Sequence, residues 1–227
     1  MAQRLISYLF PRLVASFNSP VNGRINVYRQ FNSYRIVIGG LTESGGLMGN
    51  LWESALKSAK KHYFRDHPPK NCLILGYGGG SATQVVRRSW PTTEILGIEL
   101  DPLMVELGKK YVYQPKSRVS VEIADVFEWM NNNNTLYDLI LIDLFLGKLI
   151  PNQVFSAGFI KQIKQSLTPA GCALFNIFAL KKHQPEALNY IHKLEANFTH
   201  VSRLHTISNW IILASLSPGN ASPNQLK

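Results

Sequence analysis

The stretch from Asn71 to Asp101, NCLILGYGGGSATQVVRRSWPTTEILGIELD, constrains the fold more than any other part of the chain. It opens with the apolar run Cys72-Leu73-Ile74-Leu75 and passes directly into Gly76, Gly78, Gly79 and Gly80. A helical stretch follows, then a second apolar run that ends in Glu99. Strand, Gly-rich turn, helix and acid-tipped strand form a nucleotide-binding unit. Glycine lets the backbone approach a ligand closely, and the helix N-terminus presents free N–H groups. Glu99 lies roughly 20 residues past the glycines, the spacing at which an acid accepts hydrogen bonds from ribose hydroxyls. The order Gly76-Tyr77-Gly78-Gly79-Gly80-Ser81 lacks the closing Gly or Ala of the dinucleotide fingerprint. A G-x-G-x-G turn suits a nucleoside cofactor without a pyrophosphate. The competing reading is an ordinary structural turn, which glycine also marks.

The chain has 227 residues, enough for one domain with a small appendage. Hydrophobic residues make up 45% and charged residues 17%, the balance of a globular protein. A net charge of +10 is compatible with nucleic acid, anionic lipid or acidic partners, and equally with a solvated basic surface. Cys72 and Cys172 sit in or beside apolar runs and read as buried thiols of a reducing compartment, which points to the cytoplasm. The six histidines are scattered without ligand spacing, so no metal is expected. Residues 1–20 mix apolar and basic side chains, interrupted by Arg4, Pro11 and Arg12. They are expected as an amphipathic helix packed on the protein, with a lipid surface as the lesser alternative.

Two stretches alternate with period two, 24–28 and 34–38, and read as a β-hairpin. A glycine-rich loop, LTESGGLMGN, leads into a helix over 51–64. Hairpin and helix together make a unit over 21–66, ahead of a main domain over 67–217 and a polar tail over 218–227. From Asn71 strands and helices alternate. Strands are expected at 119–123, 137–142 and 172–178, helices at 102–111, 158–167 and 186–198, and a turn at Thr168-Pro169-Ala170-Gly171. Two further strands, 201–207 and 211–216, close the chain without a helix between them. The expected fold is therefore α/β and Rossmann-like. Its seven-stranded, mostly parallel sheet carries helices on both faces and an antiparallel C-terminal hairpin, behind a small N-terminal β-hairpin region.

The successive segments Gly76-Tyr77-Gly78-Gly79-Gly80, Gly97-Ile98-Glu99-Leu100-Asp101, Ala124-Asp125-Val126-Phe127, Leu141-Ile142-Asp143 and Leu167-Thr168-Pro169-Ala170-Gly171 resemble the motifs of the spermidine synthase family. That family lies within the class I S-adenosylmethionine-dependent methyltransferase superfamily. The hairpin, Glu43-Ser44-Gly45 and Trp52-Glu53 resemble the family's small β-domain and gate segment. The resemblance implies that Gly76, Tyr77, Gly78 and Gly80 cradle S-adenosylmethionine or its decarboxylated form. It implies that Glu99 with Leu100 holds the ribose, and that Asp125 with Val126 meets the adenine. Asp143 would take a proton from the attacking amine. Glu43, Trp52, Glu53 and Phe145 would face a small-molecule acceptor, and the protein would be a homodimer. On the residues alone, Glu99 could be a surface acid, Asp125 a helix cap and Asp143 a loop-orienting Asp.

Three positions depart from the family pattern. Gly79 stands where an amine-binding Asp is usual, Leu146 where a second acid follows the catalytic Asp, and Trp52-Glu53 where the gate carries Tyr-Gln. Fewer acids and a +10 charge weaken the hold on a polyamine. The expected function is thus alkyl transfer from an adenosyl-sulfonium cofactor, with methyl transfer slightly ahead. Aminopropyl transfer to a diamine and a non-catalytic nucleoside-binding paralogue are the alternatives. Nucleic acid is not an expected partner, because Asp143-Leu144-Phe145 occupies the place of a target-base motif of the N-P-P-Y type.

Overall fold

Along Asn71–Leu75, Cys72 and Ile74 face one hydrophobic layer, and Leu73 and Leu75 face the other. All four are buried, and a strand buried on both sides requires helices above and below it. The computed structural model describes residues 10–45, 48–113, 118–147, 149–178, 180, 183–205 and 209–218. It begins with strands β1 (Arg12–Ser19), β2 (Gly23–Gln30), β3 (Ser33–Ile38) and β4 (Leu41–Gly45), followed by helix α1 (Met48–His62). The main domain continues with β5 (Asn71–Leu75), α2 (Ser81–Ser89), β6 (Glu94–Glu99) and α3 (Pro102–Leu107), which runs into a π-helical turn over Gly108–Val112. Then come β7 (Val119–Ile123), α4 (Val126–Asn132), β8 (Tyr137–Ile142), a 3₁₀ turn over Asn152–Phe155 and α5 (Ala157–Gln165). Strand β9 (Leu167–Phe178), α6 (Gln184–Glu195), β10 (His200–His205) and β11 (Asn209–Ser215) complete it.

The main sheet has seven strands in the order β10-β11-β9-β8-β5-β6-β7. Strands β5, β6, β7, β8 and β9 run parallel, and β11 is the reversed strand, antiparallel to both β9 and β10. This is the expected fold class. Helices α1 and α2 cover one face with Trp52, Leu56, Val85 and Val86. Helices α4, α5 and α6 cover the other with Met130, Phe159, Ile163 and Tyr190. Cys72 and Cys172 are both buried as free thiols, and burial pushes both well above their ordinary pKa.

The N-terminal region differs from the expected hairpin. It is a four-stranded antiparallel sheet, β1-β2-β3-β4. Residues 12–19, expected as part of an amphipathic helix, form β1. The physical reason is a period of two: Ala15, Phe17 and Ser19 turn inward, whereas Arg12, Ser16 and Asn18 are exposed. Residues 1–9 of the expected helix lie outside the described residues. The expected turn at 168–171 is instead absorbed into β9, whose pairing with β8 shifts register between Tyr137 and Leu139. Among the described residues no helix is long and apolar enough to cross a membrane.

The small sheet packs Ile25, Val27, Ile36 and Ile38 onto Met104 and Leu107 of α3. One buried carboxylate fixes its position. Asp101 caps α3 by accepting from Leu103 N at 3.0 Å. It also accepts from Ser19 Oγ at 2.5 Å and Asn22 Nδ2 at 2.7 Å, both from the β1–β2 turn. Asp101→Ala removes the cap and strands two donors in a closed interface. A loss of about 2 kcal/mol in urea unfolding is the expected outcome, while Asp101→Asn, which keeps one acceptor, loses less.

Candidate active site

Four parallel strands deliver their carboxyl ends to one crevice, the place where open α/β sheets bind ligands. Strand β5 ends at Gly76, β6 at Glu99, β7 leads to Asp125 and β8 to Asp143. The crevice closes against the small sheet, and its walls include Asn22, Ser44, Gly76, Tyr77, Gly78, Glu99, Leu100, Asp125, Val126, Asp143 and Phe145. Nine residues expected from the sequence therefore share one cleft. Gly80 stands just behind it as the left-handed residue that starts α2, with φ 84°. Trp52 lies beneath it, buried, and Glu53 faces elsewhere: it is exposed, pairs with Arg88 at 3.6 Å and borders a separate hollow. The side chain of Glu43 lies outside the described residues.

Glu99 is fixed by the turn it faces. Its Oε2 accepts from Gly78 N at 2.7 Å and its Oε1 from Asp101 N at 2.9 Å. Burial raises its pKa, and these backbone hydrogen bonds oppose the rise. A carboxylate has about four lone-pair sites, so two remain for a vicinal diol. Asp125 combines two of its expected roles. Its Oδ1 caps α4 by accepting from Phe127 N at 2.7 Å and Glu128 N at 3.2 Å, while the residue lines the cleft. Its Oδ2 is left for a donor such as an exocyclic amino group. The cradle fits an adenosine: an acid for the sugar, an acid for the base, Val126 and Leu100 beside them, and glycine backbone at the far end.

Gly76 joins this cradle to Asp143. Its φ is 86°, and a Cβ there would lie 2.2 Å from the Asp143 carbonyl oxygen. The ends of β5 and β8 are also tied by Asp143 N donating to Leu75 O at 2.8 Å. The Asp143 side chain is oriented from beneath. Trp52 Nε1 donates to Oδ2 at 3.1 Å, and Asn176 Nδ2 donates to Oδ1 at 2.7 Å. Asn209 Nδ2 in turn donates to Asn176 Oδ1 at 2.8 Å, which turns the Asn176 amine toward the carboxylate. Burial raises the pKa of Asp143, while the Asn176 and Trp52 bonds stabilise its ionised form. The result is a carboxylate with both oxygens held as acceptors at the floor of the cleft, suited to receive a proton or an ammonium group.

Asn176, Asn209, Ser44 and Asn22 are site residues that sequence reasoning missed. An asparagine inside the apolar run Cys172–Phe178 was the available signal, because a polar residue in a buried strand needs a partner. Ser44 explains the departure at Gly79. Its Oγ accepts from Gly79 N at 2.8 Å, and Ser81 Oγ accepts from Gly45 N at 2.7 Å, so β4 clamps the glycine turn. A Cβ on Gly79 would come within 2.7 Å of Ser44 Cβ, and Gly108 also packs on the turn, its own Cβ position 2.5 Å from Gly79 Cα. A side chain at position 79 would therefore force Ser44 to shift. Gly79→Asp should lose about 2 kcal/mol of stability. In a double-mutant cycle followed by urea unfolding, Ser44→Gly should recover about 1 kcal/mol of it.

The site's geometry agrees with the comparisons to known proteins. A profile of the spermine/spermidine synthase domain matches residues 59–217. A polyamine aminopropyltransferase of Vibrio vulnificus is 28% identical over 162 residues, which cover 69% of this chain and 53% of that protein. An eEF1A lysine and N-terminal methyltransferase homolog of Drosophila melanogaster is 31% identical over 150 residues, covering 61% of this chain and 22% of that protein. The chain thus spans about half the length of the first of these relatives and less of the second. In fold it is similar to a spermidine synthase crystallised with the transition-state analogue AdoDATO, with a TM-score of 0.75 and 18% identity over 91% of this chain and 74% of that one. With strands, glycine turn and acids in the family's order, and the profile running through nearly all of the main domain, the chain belongs to the spermine/spermidine synthase domain family.

Proposed function

We propose that the protein transfers an aminopropyl group from decarboxylated S-adenosylmethionine to a small amine. The observation that carries this reading is Asp143: a cleft-floor carboxylate that two donors and a backing amide hold in its acceptor state. The name of the Vibrio relative and the ligand of the spermidine synthase neighbour support the same chemistry. Glu99 would hold the ribose hydroxyls, Asp125 the adenine amino group, and the turn Gly76–Gly80 the end of the donor that carries sulfur. Bound there, the donor supplies a carbon activated by a sulfonium leaving group, so the protein's work is mainly alignment. Asp143 attracts the protonated amine, takes one proton from it and leaves the nitrogen lone pair free to attack. Leu144 and Phe145, which line the same end of the cleft, keep water away from that proton transfer.

Methyl transfer from S-adenosylmethionine is the second reading, and the packed Gly79 favours it. Without an acid at that position, the cradle does not repel the carboxylate that full S-adenosylmethionine carries. The Drosophila relative is named as a methyltransferase. Incubation with each donor and an amine panel separates the two. Aminopropyl transfer releases methylthioadenosine, and methyl transfer releases S-adenosylhomocysteine. Release of the second alone would replace the first reading.

Asp143→Asn should lower kcat by about 10²- to 10⁴-fold and leave nucleoside affinity, measured by calorimetry, nearly unchanged. The active form is the ionised one and burial raises its pKa. In the wild-type protein kcat/KM should therefore rise with pH along an acidic limb displaced above the ordinary carboxylate range. A limb at the ordinary position would remove Asp143 from the role of base.

A further inference from the structure

Among the described residues the Asp143 end of the cleft carries little charge. Among the described residues its walls contain three carboxylates, Glu99, Asp125 and Asp143. Glu99 is tied to the glycine turn and Asp125 to the start of α4, both on the nucleoside side. Among the described residues Asp143 is the carboxylate left for the acceptor. The wall that follows it in sequence is Leu144, Phe145, Leu146, Pro151 and the uncharged Gln153. Phe145 is fixed edge-on against Phe178 at 4.8 Å. Leu146 and Leu149 are held across a tight turn by reciprocal backbone hydrogen bonds of 2.9 and 3.2 Å, yet they are 46% and 70% exposed. Leu146, a wall residue fixed in the open, marks surface that an apolar group would cover.

Resting on the transfer reading above, we infer that the acceptor is an amine with a single positive charge on an apolar body, not a diamine. Its nitrogen would sit at Asp143 and its hydrocarbon part along Leu144, Phe145 and Leu146. A second ammonium at the far end would give up hydration against leucine and phenylalanine without a counter-charge there among the described residues. The protein's net charge of +10 adds a long-range bias against a dication. The step balances. The ammonium gives one proton to Asp143, which passes it to solvent. The freed lone pair forms the new N–C bond as the C–S bond breaks, and that bonding pair leaves with sulfur as a neutral thioether. The product nitrogen keeps the positive charge.

The test compares amines of equal carbon number at saturating donor: butylamine with 1,4-diaminobutane, and hexylamine with 1,6-diaminohexane, using both S-adenosylmethionine and its decarboxylated form. The expected result is a kcat/KM at least about tenfold higher for each monoamine. Leu146→Asp should raise the diamine values by about tenfold, while Leu146→Asn, equally polar but uncharged, should not. Should Leu146→Asp fail to fold, the wild-type comparison still decides. Diamines used as well as or better than monoamines by the wild-type protein would overturn this inference and leave the transferase reading standing. Absence of any alkylated amine from either donor would overturn the transferase reading, and this inference with it.

Discussion

The contact between Gly76 and the carbonyl of Asp143 is the constraint on which the site depends. Two neighbouring parallel strands, β5 and β8, end there side by side, so close that no side chain fits between them. A residue with φ of 86° and no Cβ is the one solution the backbone offers. Because of that contact the glycine turn and the backbone of Asp143 form one rigid unit. The turn cannot shift without moving the backbone of Asp143, and alignment is what sulfonium chemistry asks of a protein. Asp101 extends the same frame to the small sheet, and Ser44 brings that sheet's last strand back onto the turn.

The parts of this arrangement that were legible in the sequence are those encoded within a few consecutive residues. Strand β5, the glycine turn and the acid at the tip of β6 could be read because alternation, glycine spacing and strand length all agree locally. The reversed strand could be read because two strand-like runs stand without a helix between them. What escaped depends on partners far away in the chain. Strand β1 looked like a helix because its apolar and basic residues suit either period, and only pairing with β2 selects the strand. The roles of Trp52 and Glu53 followed the same logic: adjacent residues on a helix point about 100° apart, so one reaches Asp143 and the other solvent. The Asn209–Asn176–Asp143 chain spans three segments that meet only after the final strand inserts.

Electrostatics and stability oppose each other at this site. Glu99 and Asp143 both have pKa values raised by burial. A carboxyl whose folded value lies above its unfolded value stabilises the fold fully below the unfolded value, and that contribution fades as the pH rises through the folded one. Near neutral pH, therefore, the two groups that give the cleft its chemistry work against the fold. A ligand that donated hydrogen bonds to both carboxylates would relieve them, so its affinity and the strain of the free protein would share one origin.

The amide relay behind Asp143 ties the acid to the closing strand of the sheet. Strand β11 is the last strand of the main sheet to be synthesised, and it wedges between β9 and β10, not at an open edge. Without residues 209–215 in place Asn209 cannot orient Asn176, so the Asp143 side chain keeps the Trp52 donor but loses a fixed amide at its other oxygen. The nucleoside turn is complete more than one hundred residues earlier in the sequence, between Gly76 and Glu99. The glycine turn is therefore encoded locally, whereas the orientation of the Asp143 side chain depends on the strand that closes the sheet.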